Sequence, residues 1–222
     1  LQRGQLDQDQ LLDDVAAIDR FYRDRGYVDV RVDRRIELSP DNREAKVTFI
    51  IAEGRQYRIR DVIVEGFSPT GARPLEVMAP EQAIALLAIR SGDVYSRREV
   101  DRSIMSLTDA YLVMGYVDVR VNETSIRVGD QPEVDLIITI LEGKPSRAGL
   151  VLIQGNHITR DKVIRREVRI QPGRTIDGRE LGRSKDRLVR TQLFGGDVRV
   201  TLQQPGDDGT RDALVEVKEK NT

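Results

Sequence analysis

The sequence contains no cysteine, no tryptophan and a single histidine, His157, and only 5% of its residues are aromatic. Without cysteine, disulfide frameworks, cysteine-based zinc sites and thiol catalysis are excluded. One histidine cannot build a multi-histidine metal centre, and so few aromatics argue against a stacking platform for single-stranded nucleic acid. Long hydrophobic runs are lacking too. The longest, Ala83 to Ile89, has seven residues, against the roughly 20 that a membrane-crossing helix needs. Leu1-Gln2-Arg3-Gly4-Gln5 shows no basic-then-apolar pattern, so no secretory leader is expected there. Charge of one sign is also missing: 36 Lys and Arg face 37 Asp and Glu, a formal net of −1, which argues against a surface that grips nucleic acid throughout. What is abundant is charge itself, 33% of 222 residues against 39% hydrophobic. That is the composition of a polar, soluble, globular chain of one or two domains, with little room for common enzyme chemistry.

The chain repeats itself. Gly26-Tyr27-Val28-Asp29-Val30-Arg31-Val32 returns identically as Gly115-Tyr116-Val117-Asp118-Val119-Arg120-Val121, an offset of 89 residues. The same offset carries Glu53-Gly54 onto Glu142-Gly143 and Val62 to Gly66 onto Val151 to Gly155. Three segments at one offset establish an internal duplication. A more diverged third copy follows, in which Asp197-Val198-Arg199-Val200 echoes Asp118 to Val121 and Leu214 to Glu219 echoes Ile137 to Glu142. The repeats run over residues 1–54, 55–144 and 145–222. The first lacks a counterpart of the opening strand and first helix. The second carries about eight extra residues, assigned to the Pro- and Gly-containing loop Phe67 to Glu76.

Each complete repeat opens with an alternating strand, Tyr57 to Glu65 or Leu150 to Gln154, that ends at a glycine. A short helix follows, Pro80 to Ile89 or Arg160 to Val168, with proline suited to a first turn. Ser96-x-x-Glu99 is a capping box for a second helix, with Asp7-x-x-Gln10 and Asp177-x-x-Glu180 in the equivalent places. Val100, Ile104, Leu107 and Tyr111 then recur at helical spacing and match Leu11, Val15, Ile18 and Tyr22. The glycine of Gly-Tyr fits a helix stop. Two strands close the repeat, Tyr116 to Arg127 and Val134 to Leu141. The order strand, helix, helix, strand, strand predicts an α+β layer with both helices on one face of the sheet. The short junctions, Glu53 to Gln56 and Glu142 to Ser146, predict semi-rigid connections rather than flexible tethers.

Tandem repeats of this order, with Gly-Tyr before the fourth element, resemble POTRA domains, the periplasmic modules that precede the β-barrel in BamA-type outer-membrane assembly proteins. The last repeat carries the strongest likeness, in Ile153 to Thr159, Val163 to Glu167 and the terminal Val215-Glu216-Val217-Lys218-Glu219-Lys220-Asn221-Thr222. The resemblance makes it the POTRA next to the barrel, the middle repeat the penultimate one, and the first an incomplete one before that. Each unit would hold a three-stranded mixed sheet. Relatives in two-partner secretion and organelle import share the module and remain alternatives. One departure stands out: the family's Leu-Gly-x-Phe at the end of the second helix is here Thr191-Gln192-Leu193-Phe194-Gly195-Gly196, so a shifted or looser helix end is expected.

Little in the chain carries covalent chemistry, and no catalytic residue, metal ligand or cofactor is assigned. His157 reads as a solvated loop histidine. Asp7, Asp9, Asp13 and Asp14 lack calcium-loop spacing and suit a helix's first turn. Gly206 to Gly209 is a hairpin turn, and no phosphate-cradling glycine motif is present. Charge is uneven, however: the first two repeats each carry a net −3 and residues 146–222 carry +5. Arg160, Lys162, Arg165, Arg166 and Arg169 form a basic face, read either as solvated or as contacting anionic headgroups or an acidic partner.

The sheet order that the resemblance implies places the final strand in the middle and the Gly-Tyr strand on an edge. The expected edges are Val28, Asp29, Val30, Arg31 and Val32; Val117, Asp118, Val119, Arg120 and Val121; and Val198, Arg199 and Val200, the last extending to Thr201. An exposed edge offers backbone donors and acceptors to extended segments. The resemblance implies unfolded outer-membrane proteins and accessory lipoproteins as partners. The alternating charges at Asp29, Arg31, Asp118 and Arg120 serve equally well to blunt an edge. A tandem nucleic-acid-binding module of KH type would need a Gly-x-x-Gly loop between helices, absent from Ile89 to Ser96 and Ile170 to Asp177, so no nucleic-acid partner is expected. Strand Ala45 to Ile51, short of a neighbour in the first repeat, is expected to be covered by another chain or poorly ordered.

Overall fold

The computed structural model describes residues 7–41, 43–195 and 197–220. The chain's opening residues, Gly196 of the last helix-end corner and the terminal Asn221-Thr222 lie outside the described residues. In repeat 1, helix α1 (Gln8–Arg23) starts where Asp7 Oδ1 accepts the Asp9 and Gln10 N–H groups at 2.9 and 3.3 Å, which fixes the role of the first aspartate of the acidic cluster. Arg20 and Arg23 close the last turn, complementing the helix dipole. Strands β1 (Arg31–Leu38) and β2 (Ala45–Ala52) form an antiparallel pair in unbroken register from Arg31 opposite Ala52 to Leu38 opposite Ala45. Ala45 to Ile51, expected to be covered by another chain or poorly ordered, forms a regular strand that the β1 ladder pairs along its whole length. Its other edge has no strand beside it among the described residues.

Repeat 2 contains β3 (Arg58–Ser68), β4 (Gly71–Arg73), α2 (Pro80–Ala85), α3 (Arg97–Val113), β5 (Arg120–Arg127) and β6 (Glu133–Leu141), with sheet order β4-β3-β6-β5. The sheet has four strands where three were expected. The inserted loop folds back as a hairpin, with Gly66 opposite Arg73 and Ser68 opposite Gly71. Helix α2 ends at Ala85, four residues short of the expected Ile89. The chain then turns beneath α3, where the Ala88 N–H donates to Ser103 Oγ at 2.9 Å. Strand β6 buries every second residue, Val134, Leu136, Ile138 and Ile140, as a central strand covered on one face should.

Repeat 3 contains β7 (Arg147–Gln154), α4 (Asp161–Glu167), α5 (Arg179–Arg190), β8 (Arg199–Leu202) and β9 (Thr210–Glu216). The order is β7-β9-β8, parallel between β7 and β9 and antiparallel between β8 and β9. Ala213, Val215 and Val217 on one face of the last strand join Ile164 of α4 and Leu188 of α5 in a single buried cluster. Both helices therefore cover the same face of this mixed sheet. Gly178 stands at the N-cap of α5, and Asp177 just ahead of it accepts the Arg179 N–H at 3.1 Å. The far end of α5 is shifted rather than loose: Thr191 bonds back to Arg187 and Leu188, and Gln192 takes the left-handed φ of 60° usually left to glycine.

By its internal contacts the chain divides into two compact units. One is Leu1–Val64, Leu87–Ile104 and Glu123–Ile138; the other is Glu65–Leu86, Met105–Asn122 and Thr139–Thr222. The division runs through repeat 2 rather than through either junction. Each unit thus holds one junction whole.

Candidate functional site

The strand edges begin three residues later than the sequence suggests in repeats 1 and 2, and one residue later in repeat 3. Val28, Asp29 and Val30 form a turn, in which the Val28 and Val30 N–H groups donate to Gly26 O and Tyr27 O at 3.0 and 3.2 Å. Val117, Asp118 and Val119 repeat it, with Val117 and Val119 bonded to Gly115 O and Tyr116 O at 3.0 and 3.2 Å. N–H groups spent inside a turn cannot pair with an incoming strand. Of the expected edge residues, Arg31 and Val32 lie in β1, Arg120 and Val121 in β5, and Arg199, Val200 and Thr201 in β8, while Val198 is buried just ahead of β8. Edges are still present: among the described residues, β5 and β8 are the outermost strands of their sheets.

The duplicated heptapeptide makes the junctions. At the first, the Tyr57 N–H donates to Gly26 O at 2.8 Å, and the Tyr95 N–H donates in turn to Tyr57 O at 3.0 Å. At the second, Ser146 and Ile176 repeat both bonds, to Gly115 O at 2.9 Å and to Ser146 O at 3.1 Å. Glycine is required at both. Gly26 and Gly115 stand at φ 88° and 93°, and a Cβ would lie 2.7 Å from Val94 Cγ1 in one case and 2.4 Å from Thr175 Cγ2 in the other. The aspartate three residues on is the second clasp. Asp29 accepts the Tyr57 hydroxyl at 2.9 Å and Arg127 Nη2 at 2.7 Å. The Tyr57 bond, and then Arg127, hold its carboxyl below the usual range. Asp118 takes a two-pronged guanidinium from Arg211, a geometry with more directional strength than a single contact. Each aspartate clasp thus runs from the turn after the long helix of one repeat to a strand of the next, Arg127 on β5 and Arg211 on β9.

In the second Glu-Gly of the pair at offset 89, Glu142 latches the strand-to-helix loop inside its own repeat. Glu142, 1% exposed, accepts the Glu76 N–H at 3.0 Å, the Val77 N–H at 3.0 Å and the Tyr111 hydroxyl at 2.9 Å, with Arg73 at 3.3 Å. Burial, and then this bond, raise the Tyr111 phenol above its ordinary range. Glu219 does the same in repeat 3, accepting the His157, Ile158 and Thr159 N–H groups at 3.1, 2.9 and 2.6 Å. His157 itself is exposed, and its backbone, not its ring, takes part.

These bonds, that from Thr159 first, lower the Glu219 pKa from 4.5. Its stabilisation is therefore fully present above about pH 4.5 and is lost as the pH falls through the lower folded value. Denaturant unfolding followed from about pH 6 to about pH 3 should lose stability more steeply in the native chain than in Glu219→Gln, which has no such carboxyl to protonate.

The basic face is partly neutralised. Arg165 pairs with Asp161 at 3.6 Å and Arg166 with Glu167 at 3.1 Å. On α5, Arg183 and Arg187 share Glu180 at 3.1 and 2.8 Å. Arg169 lines a shallow hollow with Gln171, Arg174, Thr175 and Glu180. Arg160 and Lys162 flank the start of α4 and are exposed. Among the described residues, no helix is long and apolar enough to cross a membrane.

Tandem α+β repeats whose outer strands β5 and β8 lie at sheet edges define a modular repeat protein, and comparison with known proteins gives its family. The model of the POTRA family, described as surface antigen variable number repeat, matches residues 2–54, 57–143 and 147–220. The chain belongs to the POTRA family. It is 30% identical over 225 residues to the outer membrane protein assembly factor BamA of Nitratidesulfovibrio vulgaris, covering 97% of this chain and 26% of that protein. It is 25% identical over 192 residues to BamA of Neisseria meningitidis serogroup B, covering 86% and 23%. The chain thus spans about a quarter of the length of these curated relatives. The crystal structure of Haemophilus influenzae BamA POTRA3-5 superposes with a TM-score of 0.72 at 21% identity, over 97% of this chain and 83% of that one. That likeness establishes the fold.

Proposed function

We propose that this chain is the periplasmic POTRA segment of a BamA-type outer-membrane assembly factor, a scaffold without covalent chemistry of its own. It receives unfolded outer-membrane proteins by strand addition and docks accessory lipoproteins. The observation that carries the reading is the edge position of β5 beside β6: from Arg120 to Arg127 it offers an outer row of backbone groups to an extended segment. A net gain of about 0.5–1.5 kcal/mol per backbone hydrogen bond makes capture by a few residues weak and reversible, as passing a client onward requires. The +5 charge of repeat 3 favours an acidic partner or an anionic headgroup surface near the barrel.

Photocrosslinking amino acids placed singly along β5 of the full-length protein test the reading. Unfolded outer-membrane proteins should be captured from positions on the strand. If no position on β5 captured a client while assembly continued normally, strand addition at this edge would be ruled out. Neutralising Arg160, Lys162 and Arg169 together should weaken binding to vesicles rich in anionic lipid; unchanged binding would rule out the lipid contact.

A further inference from the structure

The strands that follow the long helices share a burial register and differ at one place in it. β1, β5 and β8 half-bury a valine at equivalent positions, Val32, Val121 and Val200. Two residues on, and so on the same face, each half-buries a very different side chain: Arg34, Glu123 and Leu202. In β8 both residues pack against the helix-covered core of repeat 3. In β1 and β5 the second position carries a full charge, and the two signs are opposite. The Glu123 side chain is 7% exposed and pairs with Arg97, the first residue of α3, at 2.9 Å. Arg97 is shared, since it also holds Asp101 at 2.8 Å. The other carboxylate oxygen, Oε1, is buried and has no hydrogen-bond partner among the described residues. Arg34 mirrors this: its Nη1 is buried and unpartnered among the described residues. It lines a hollow of about 240 Å³ between α1 and β1 with Leu12, Val15, Val32 and Asp33.

We propose that Arg34 and Glu123 set the charge of the extended segment that each strand edge accepts. The edge of β5 takes a segment with a lysine or arginine on its α3-facing side, and that of β1 one with an aspartate or glutamate on its α1-facing side. The inference rests on strand capture as the work of these edges and adds a selection rule to it. A charge pointing inward from an edge strand resists indiscriminate pairing. A strand added beside β5 removes the solvent access that Glu123 retains, and an apolar or acidic neighbour leaves Oε1 more deeply buried and still without a donor. A basic neighbour supplies the donor and cancels the charge, while Arg97 keeps Asp101. At β1 a carboxylate does the same for Arg34 Nη1. General attraction predicts otherwise, because the first two repeats each carry a net −3 and would both draw basic segments. The preference of β1 for an acidic segment therefore separates the buried residue from the surrounding field.

The probes are short extended peptides of alternating valine and threonine with a central lysine, glutamine or glutamate. Each is titrated into the chain while backbone amide resonances of β1 and β5 are followed by NMR. At β5 the lysine peptide should bind about tenfold more tightly than the glutamate peptide, and at β1 the order should reverse. Glu123→Gln should level the three peptides at β5 and leave the order at β1 intact. Arg34→Gln should do the converse, so each variant shows that the other's loss is local rather than a failure to fold. Equal affinities at β5, or a lysine preference there that survives Glu123→Gln, overturn the proposal while leaving strand capture in place. A lysine preference at both strands overturns it too, in favour of the net charge of the repeats. If no peptide shifts the amides of either strand, strand capture fails and the selection rule falls with it.

Discussion

Replacing Gly115 by alanine is expected to destabilise the protein by about 2–5 kcal/mol and to lower its melting temperature by about 6–15 °C. Two costs add. At φ 93° a residue with a Cβ gives up about 1–2 kcal/mol in the left-handed region. The new methyl also lies 2.4 Å from Thr175 Cγ2, and forced overpacking costs roughly 1–3 kcal/mol. Thr175 is β-branched and adjusts little about χ1, so the turn itself must yield, and with it the bond from the Ser146 N–H to Gly115 O. The two costs are separable. Gly115→Ala combined with Thr175→Ala should recover the clash and leave the backbone cost, so about half of the loss returns. Full recovery would mean that the positive φ contributes nothing. A Gly115→Ala chain that melts with the native one would show that the heptapeptide glycine is not a structural requirement of the junction.

The second large effect is expected at Glu142. Truncation to alanine leaves the Glu76 and Val77 N–H groups, the Tyr111 hydroxyl and one prong of Arg73 without their common acceptor. Removing one side of a buried charged network costs about 3–5 kcal/mol, and denaturant unfolding should report a loss of that size. Glu142→Gln retains one oxygen but presents an amide N–H to groups that are themselves donors, so it should fall between alanine and native. The equivalent Glu53→Ala, where the carboxylate is exposed and, among the described residues, accepts from Tyr22 alone, should cost much less. Equal losses at the two positions would contradict the latch described for Glu142.

How far the sequence discloses this protein depends on the range of the interaction. Element order follows from local signals: Asp7 caps α1, Ser96 precedes α3, and glycines end α1 and α3 with positive φ. The alternation in Val134 to Leu141 reads directly as a strand buried on one face. The Gly-Tyr-Val-Asp heptapeptide is visible as a repeat but reads as strand, because its valines have strand-like alternation while its N–H groups are used in local turn bonds. Its purpose lies out of reach of any local pattern. The arginines that meet Asp29 and Asp118 come from 98 and 93 residues away and from non-equivalent strands, β5 and β9. Glu142 and Glu219 were legible as equivalent positions, yet an acceptor for loop N–H groups has no composition of its own. The fourth strand β4 was hidden for a simpler reason: Pro and Gly in Phe67 to Glu76 signal a turn, and a hairpin contains one.

The central claim is that the duplicated heptapeptide clasps each repeat to the next. Because the native chain has no cysteine, two introduced ones label uniquely. Met105→Cys on the exposed face of α3 and Asp207→Cys in the β8–β9 hairpin bracket the second junction. Pulsed spin-label distance measurement between them should give one narrow distribution in the otherwise native chain. Removing both clasps with Gly115→Ala and Arg211→Ala should broaden it markedly while each repeat stays folded. A distribution already broad with the clasps intact, or one that stays narrow without them, would contradict the account.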